Sequence, residues 1–385
     1  MVDQVPAIRL GVLTDEAQAF ALVGGAEDTE RFTFGGATVV IGPVGTVIVT
    51  DAGDRGPDRS GVWNSEEVRL FGPAPAPVTE RLTGRTWKWG ADDEVLPVHL
   101  MIRIEDGLLY LGVSRTVSAA TAKRPGCTDY ELTRCVVRLE VPLSRFLLDR
   151  VRPPLPAVKL PGLEWLRHVN GDRAVALEQF VTGWYPTTDT ADTPSTGLPL
   201  APIPDGLRQL YRLAVRRPAA LGVQNRIHPE SALRTDDRGE MLVFGVENQG
   251  GFVWSLLWTL GSAETDPTVW FCDDSKRPIA EQEPLSGFLL QFSLFEAAMG
   301  ADYLALPRSL ELTAHQVDQL TKRLEPVPLR PFWPWGPTRF YVAPGVIMHV
   351  CEAGDNKFEA WAGATHRSAL ALLADATVEW SRFDG

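Results

Sequence analysis

Four prolines fall within eleven residues, VRPPLPAVKLP at 151–161, and this stretch limits the possible folds more than any other. Proline cannot continue a helix and has no N–H to give to a sheet ladder, so the segment reads as a linker between a domain at 1–150 and a second at 162–385. The length of 385 residues agrees with two domains, because single hydrophobic cores stop growing at about 250–300 residues. A second loop rich in Pro, Thr, Ser and Gly, at 186–206, leads into the C-terminal core.

Ahead of the linker the chain reads as strands. ATVVIGPVGTVIVTD is a pair of β-branched runs around Gly42-Pro43-Val44-Gly45, and LPVHLMIRIEDGLLYLGVSRTV turns at Asp106-Gly107, both hairpin signatures. CVVRLEVPL supplies another strand and SRFLLDRV a helical turn; GPAPAP at 72–77 reads as an exposed loop, and Gly24-Gly25 and Gly35-Gly36 as turns. The expectation is an antiparallel, β-rich N-terminal domain whose role the residues do not disclose.

After the linker the period changes. GLRQLYRLAVRR places Leu207, Leu210, Tyr211 and Ala214 on one helical face, with Asp205 positioned as an N-cap. EMLVFGVENQGGFVWSLLW predicts two strands joined around Gly250-Gly251, PTVWFC a third, and EPLSGFLLQFSLFEAAMG a helix with Leu285, Phe288, Leu289 and Phe292 at helical spacing. Further on, RFYVAPGVIMHVCEAG reads as a hairpin turning at Pro344-Gly345, KFEAWAGA as a strand, HRSALALLADA as a helix and VEWSRF as a last strand. The fold class expected is α+β, with a central antiparallel sheet flanked by helices in the second domain.

Charge narrows the partners. The net charge is -12, with 18 basic and 21 acidic residues over 1–160 and 19 against 28 over 161–385. Such a surface repels polyanions, so no nucleic acid is expected, whereas a basic protein is attracted. No run approaches the roughly 18 apolar residues of a bilayer span, and the opening residues, with Asp3, Asp15 and Glu16, do not resemble a secretory leader. The expected location is the cytoplasm, without membrane contact. Cys127, Cys135, Cys272 and Cys351 form no CxxC pair and have no histidine at zinc spacing, so they are expected as buried thiols, with no metal, cofactor or disulfide.

The chain lacks GxSxG, HExxH, a Walker loop and a strand-linked GxGxxG, which argues against an enzyme. His349 and Cys351 alternate on one strand face, and Asp92-Asp93-Glu94 and Asp273-Asp274 cluster acids; an ordinary strand and solvated loops account for them. The candidates for contact with a protein are Glu247, Asn248 and Gln249 at a strand end, and Trp254, Trp258 and Trp270 on the strands that follow. Trp254 and Trp258 share a face by their even spacing. Against this stand two plain alternatives, turn backbone satisfaction for the polar three and core packing for the tryptophans. PFWPWG at 331–336 reads as a docking element or, more simply, as a cover for a sheet.

In this order LEQFVTGWY, LRQLYRLAVRR, QNRIHPESAL, LVFGVENQGGFVW, DPTVWF and EPLSGFLLQF resemble the SUKH superfamily of the Smi/Knr type. The resemblance covers about 175–300 well, extends more loosely over the tail through WPWGPTRFY and FEAWAGAT, and does not reach the N-terminal half. It implies a non-catalytic immunity protein that neutralises a toxin by direct binding or, alternatively, a scaffold whose N-terminal domain forms a homo-oligomer while the SUKH-like domain recruits clients.

Overall fold

The computed structural model describes residues 8–25, 27–51, 61–63, 65–83, 96–123, 130–152, 157–188, 203–258, 265–273, 277–333 and 336–385. The chain forms two compact units, Met1–Ala157 and Val158–Gly385, and is an α+β structure. Most of the loop at 186–206, the acids at 92–94, Cys127 and Asp274 lie outside the described residues. No helix among the described residues is long and apolar enough to cross a membrane.

The first unit is a nine-stranded curled sheet. Both expected hairpins form, Ala37–Ile41 with Thr46–Asp51 and Val98–Ile104 with Gly107–Lys123. The sheet is mixed, however, where antiparallel pairing was expected: Thr46–Asp51 runs parallel to Val98–Ile104. Parallel neighbours need a long crossover, and the residues between 51 and 98, which include two strands and a helix, supply it. The pairing explains the apolar runs. Val47, Ile48 and Val49 are all buried in succession, as are Leu100, Met101 and Ile102, because both faces of these strands are covered. One face packs with Val78 and Leu82 of the helix Ala76–Thr83, the other with Ala19 of the helix Glu16–Ala21.

The expected loop at 72–77 is instead the end of the strand Glu67–Ala74 and the start of the helix Ala76–Thr83. A register shift between Phe71 and Ala74 absorbs Gly72 and Pro73, and Pro77 falls in the first helical turn, where its missing N–H costs nothing.

The second unit is built around the helix Leu285–Met299, buried on nearly every side. A helix with apolar residues on every face has to be surrounded. On one side lies an antiparallel sheet that includes Met241–Val246, Val253–Leu257, Thr268–Cys272 and Ile279–Pro284. The tail adds a second antiparallel sheet, with the hairpin Thr338–Ala343 and Val346–Gly354 and the strand Lys357–Ala364, which the same helix also contacts. The helices Arg173–Trp184 and Asp205–Ala214 pack on the long helix in turn, the latter through Leu207, Leu210 and Ala214 as its spacing foretold. Asp205 is not its N-cap: Pro204 takes that position, and Asp205 sits in the first turn paired with Arg208 at 2.7 Å. HRSALALLADA forms a 3-10 rather than an α-helix, over Arg367–Leu373.

Candidate functional site

The strand Met241–Val246 ends at Glu247, and the next strand begins at Val253. Between them Glu247 folds back on the turn, its Oε2 accepting the backbone N–H of Gln249 at 2.9 Å and of Gly251 at 3.0 Å. Gly250, at φ 77°, takes the left-handed conformation the turn needs. The Glu247 carboxylate thus holds the hairpin tip together, while Asn248 and Gln249 are exposed upon it.

The tryptophans separate. Trp254 is 0% exposed and its ring meets Phe288 at 5.5 Å, Phe292 at 5.8 Å and Phe332 at 6.1 Å. It is therefore a core residue and no contact residue, because its face of the sheet is the one covered by the long helix. Trp258, just beyond the strand, packs half-buried on the same core, so the even spacing did put both on one face. Trp270 lies opposite Ser255 across the ladder. By alternation it shares the outer face with Met241, Val253, Leu257 and Cys272. There Trp270 is half-buried and Leu257 is 63% exposed.

Of PFWPWG, Pro334 and Trp335 lie outside the described residues, and the Phe332 ring is fully buried in the core. Two carboxylates, Glu281 and Glu283, fix this segment from the edge strand Ile279–Pro284. Glu281 accepts Trp254 Nε1–H at 3.3 Å and Trp333 N–H at 3.1 Å; Glu283 accepts Arg330 N–H at 2.9 Å and the Arg173 guanidinium at 2.7 Å. Sequence reasoning missed these acids. The signal was available: Ile279, Glu281 and Glu283 alternate, so that if Ile279 faces the core both acids must.

Beside this pair, an open cleft of about 1090 Å³ is lined by the starts of the helices at 173, 205 and 285. Most of its charges already have partners, Arg208 with Asp205 and Arg173 with Glu283, both at 2.7 Å. Asp172 caps its helix through Val175 N–H at 3.1 Å, and Asp266 takes Ser286 N–H at 2.8 Å and Ser286 Oγ–H at 2.7 Å. Arg212 is exposed on the wall. Nothing in the sequence marks this cleft, since it is assembled from segments about 30 and 80 residues apart.

Possible reactive groups are quenched by burial. His349 lies on the core with its ring 4.8 Å from Phe295 and 6.5 Å from Trp361, and neither ring nitrogen has a hydrogen-bond partner. Burial pulls the imidazole down to about 3 and pushes the Cys351 thiol up. Both shifts oppose a thiolate–imidazolium pair. His366 Nδ1 and Ser368 Oγ are 2.7 Å apart, but the same nitrogen accepts Ser368 N–H, which makes it a helix cap. Among the described residues no group of three His, Cys, Asp or Glu could hold a metal ion. Comparison of the chain with protein-family models, with curated proteins and with solved structures finds no match to any of them.

Proposed function

We propose that this chain acts in the cytoplasm by binding another protein, without catalysis, in the way implied by the likeness of its second half to SUKH immunity proteins. The reading rests on the outer face of the first sheet in the second unit, where Trp270 and the 63% exposed Leu257 project away from the core. Tryptophan at such a position supplies a large rigid contact area, the usual anchor of a protein interface. The acidic excess of 28 over 19 in residues 161–385 favours a basic partner, such as a toxin, and would act chiefly on the association rate.

The test begins with the full chain as bait in a lysate of its native host, followed by titration of the purified partner. Trp270→Ala should weaken binding at least tenfold with no change in melting temperature, and raised salt should slow association. Undiminished binding by Trp270→Ala together with loss in Arg212→Glu would transfer the role to the polar cleft and refute the face proposed.

A second reading is a scaffold or assembly component, and one feature of the first unit favours it. Phe146 is 70% exposed and Val141 55%, apolar surface of the kind that self-association would cover. A stable homo-oligomer of the full chain that reverts to monomer in Phe146→Ser supports this reading; a monomeric wild-type chain eliminates it.

A further inference from the structure

The segment Arg330–Trp333 is held to the edge strand by alternate acids on one side of that strand. Glu283 takes the N–H of Arg330 and Glu281 the N–H of Trp333, Arg330 Nη1 reaches Gln282 O at 3.4 Å, and Gln291 of the long helix donates to Arg330 O at 2.6 Å. The two acids are not equally supplied with charge. Glu283 has the Arg173 guanidinium from the neighbouring helix, whereas Glu281 receives two neutral N–H donors, from Trp254 and Trp333. Among the described residues, the charged groups bonded around this strand are Glu283 on the strand itself, Arg173 from the helix at 173 and Arg330 from the strap, and none of these cations pairs with Glu281.

We propose that Glu281 is a latch that responds to pH, holding the Arg330–Trp333 strap closed while protonated and favouring its release when ionised. A buried carboxylate with no cation gains by reaching water, and the strap is bonded to this one through the Trp333 N–H. Glu281 is 5% exposed, and burial pushes its carboxyl up to about 7 from the ordinary 4.5, so in the closed state it titrates near neutrality. With the strap open and the group solvated it would titrate near its ordinary value, so opening becomes easier as pH rises through 7. For that pair of values the opening equilibrium grows by about tenfold from pH 6 to pH 8 and levels off above that, where the group is ionised in both states.

Amide hydrogen exchange of the full-length chain at pH 6 and pH 8, corrected for the intrinsic pH dependence of exchange, tests this directly. Protection of the Trp333 amide should fall about tenfold, while amides of the strand Val346–Gly354, which makes no bond to the strap among the described residues, keep theirs. In Glu281→Gln, which cannot ionise, Trp333 protection should be the same at both values. Unchanged protection in the wild-type chain overturns the proposal, and that measurement holds whether or not the variant folds. Equal loss in wild type and Glu281→Gln overturns it as well, by assigning the response to another group.

Discussion

The indole N–H of Trp254 donates to the carboxylate of Glu281 at 3.3 Å, within a core where both residues are almost fully enclosed. The bond joins the centre of the sheet to its edge and fixes the Trp254 ring against Phe288 and Phe292, but it leaves a carboxylate in the interior with no cation paired to it among the described residues. A group whose folded value is raised stabilises the fold most below its unfolded value, and that contribution is lost as pH rises through the folded value. The window therefore runs from about 4.5 to about 7. Nine of the twelve tryptophans lie in 158–385, so tryptophan fluorescence reports mainly on the second unit. Urea unfolding followed in this way should show Glu281→Gln gaining about 2 to 3 kcal/mol relative to wild type between pH 5 and pH 8. A constant difference across that range contradicts the assignment.

His349 carries the opposite sign. Its folded value is depressed to about 3 from 6.5 by burial, so the stability it contributes is present above 6.5 and drains away as pH falls towards 3. Its two ring nitrogens, buried without partners, gain nothing that an apolar side chain would lose. His349→Leu, close to it in volume, should be within about 1.5 kcal/mol of wild type at pH 7. Relative to wild type it should then gain about 2 kcal/mol on going to pH 5. The comparison uses the same unfolding assay, and parallel pH profiles for the two proteins would rule out His349 as the titrating group.

How much of this was legible beforehand depended on whether the signal was local. The helix at 205–214 and the strands around Gly250-Gly251 announced themselves by period and by breakers. Trp254 was ambiguous, because alternation assigns a face but not what covers it; only the long helix, thirty residues on, decides that. Trp270 was indistinguishable from it in sequence and lies on the opposite face. The parallel pairing of Thr46–Asp51 with Val98–Ile104 was hidden for a similar reason, since nothing local marks two strands separated by a long crossover as neighbours. Glu247 shows a further limit: its place at a strand end was correct, but whether the carboxylate faces a partner or its own turn is settled by the turn geometry.

Glu296 was overlooked although it stands out, a lone acid in the apolar helix LSGFLLQFSLFEAAM. It is 0% exposed, and its two oxygens accept three successive backbone N–H groups, from Val223 at 2.7 Å, Gln224 at 2.6 Å and Asn225 at 3.0 Å. Burial pushes the carboxyl up and these bonds oppose the rise. The backbone donors of residues 223–225 are satisfied by this one side chain, so Glu296→Ala should cost about 3 to 5 kcal/mol, the range for breaking a buried charged network. Glu296→Gln, which keeps one acceptor oxygen, should fall between it and wild type. Hydrogen exchange at Val223, Gln224 and Asn225 should quicken before any other part of the second unit opens. Retained protection of these amides in the alanine variant would show that the loop does not depend on the carboxylate.

The curl of the first sheet depends on a place where two backbones nearly touch. Gly35 turns between the strands Glu30–Phe34 and Ala37–Ile41 at φ 57°, and a Cβ placed on it would lie 1.9 Å from the carbonyl oxygen of Phe71. A methyl group there cannot be accommodated by rotating a side chain, because the obstacle is backbone within a strand. Gly25 gives the contrast: its φ is 93°, but nothing lies within 4 Å of the position a Cβ would take. Gly25→Ala should therefore cost only the conformational penalty of about 1 to 2 kcal/mol, while Gly35→Ala should cost about 3 kcal/mol or more by forcing the two strands apart. In calorimetry the transition of the first unit should shift down by roughly 2 to 4 °C per kcal/mol, so Gly35→Ala should fall well below Gly25→Ala. Equal shifts for the two variants would mean that the backbone contact at Gly35 does not hold the curl.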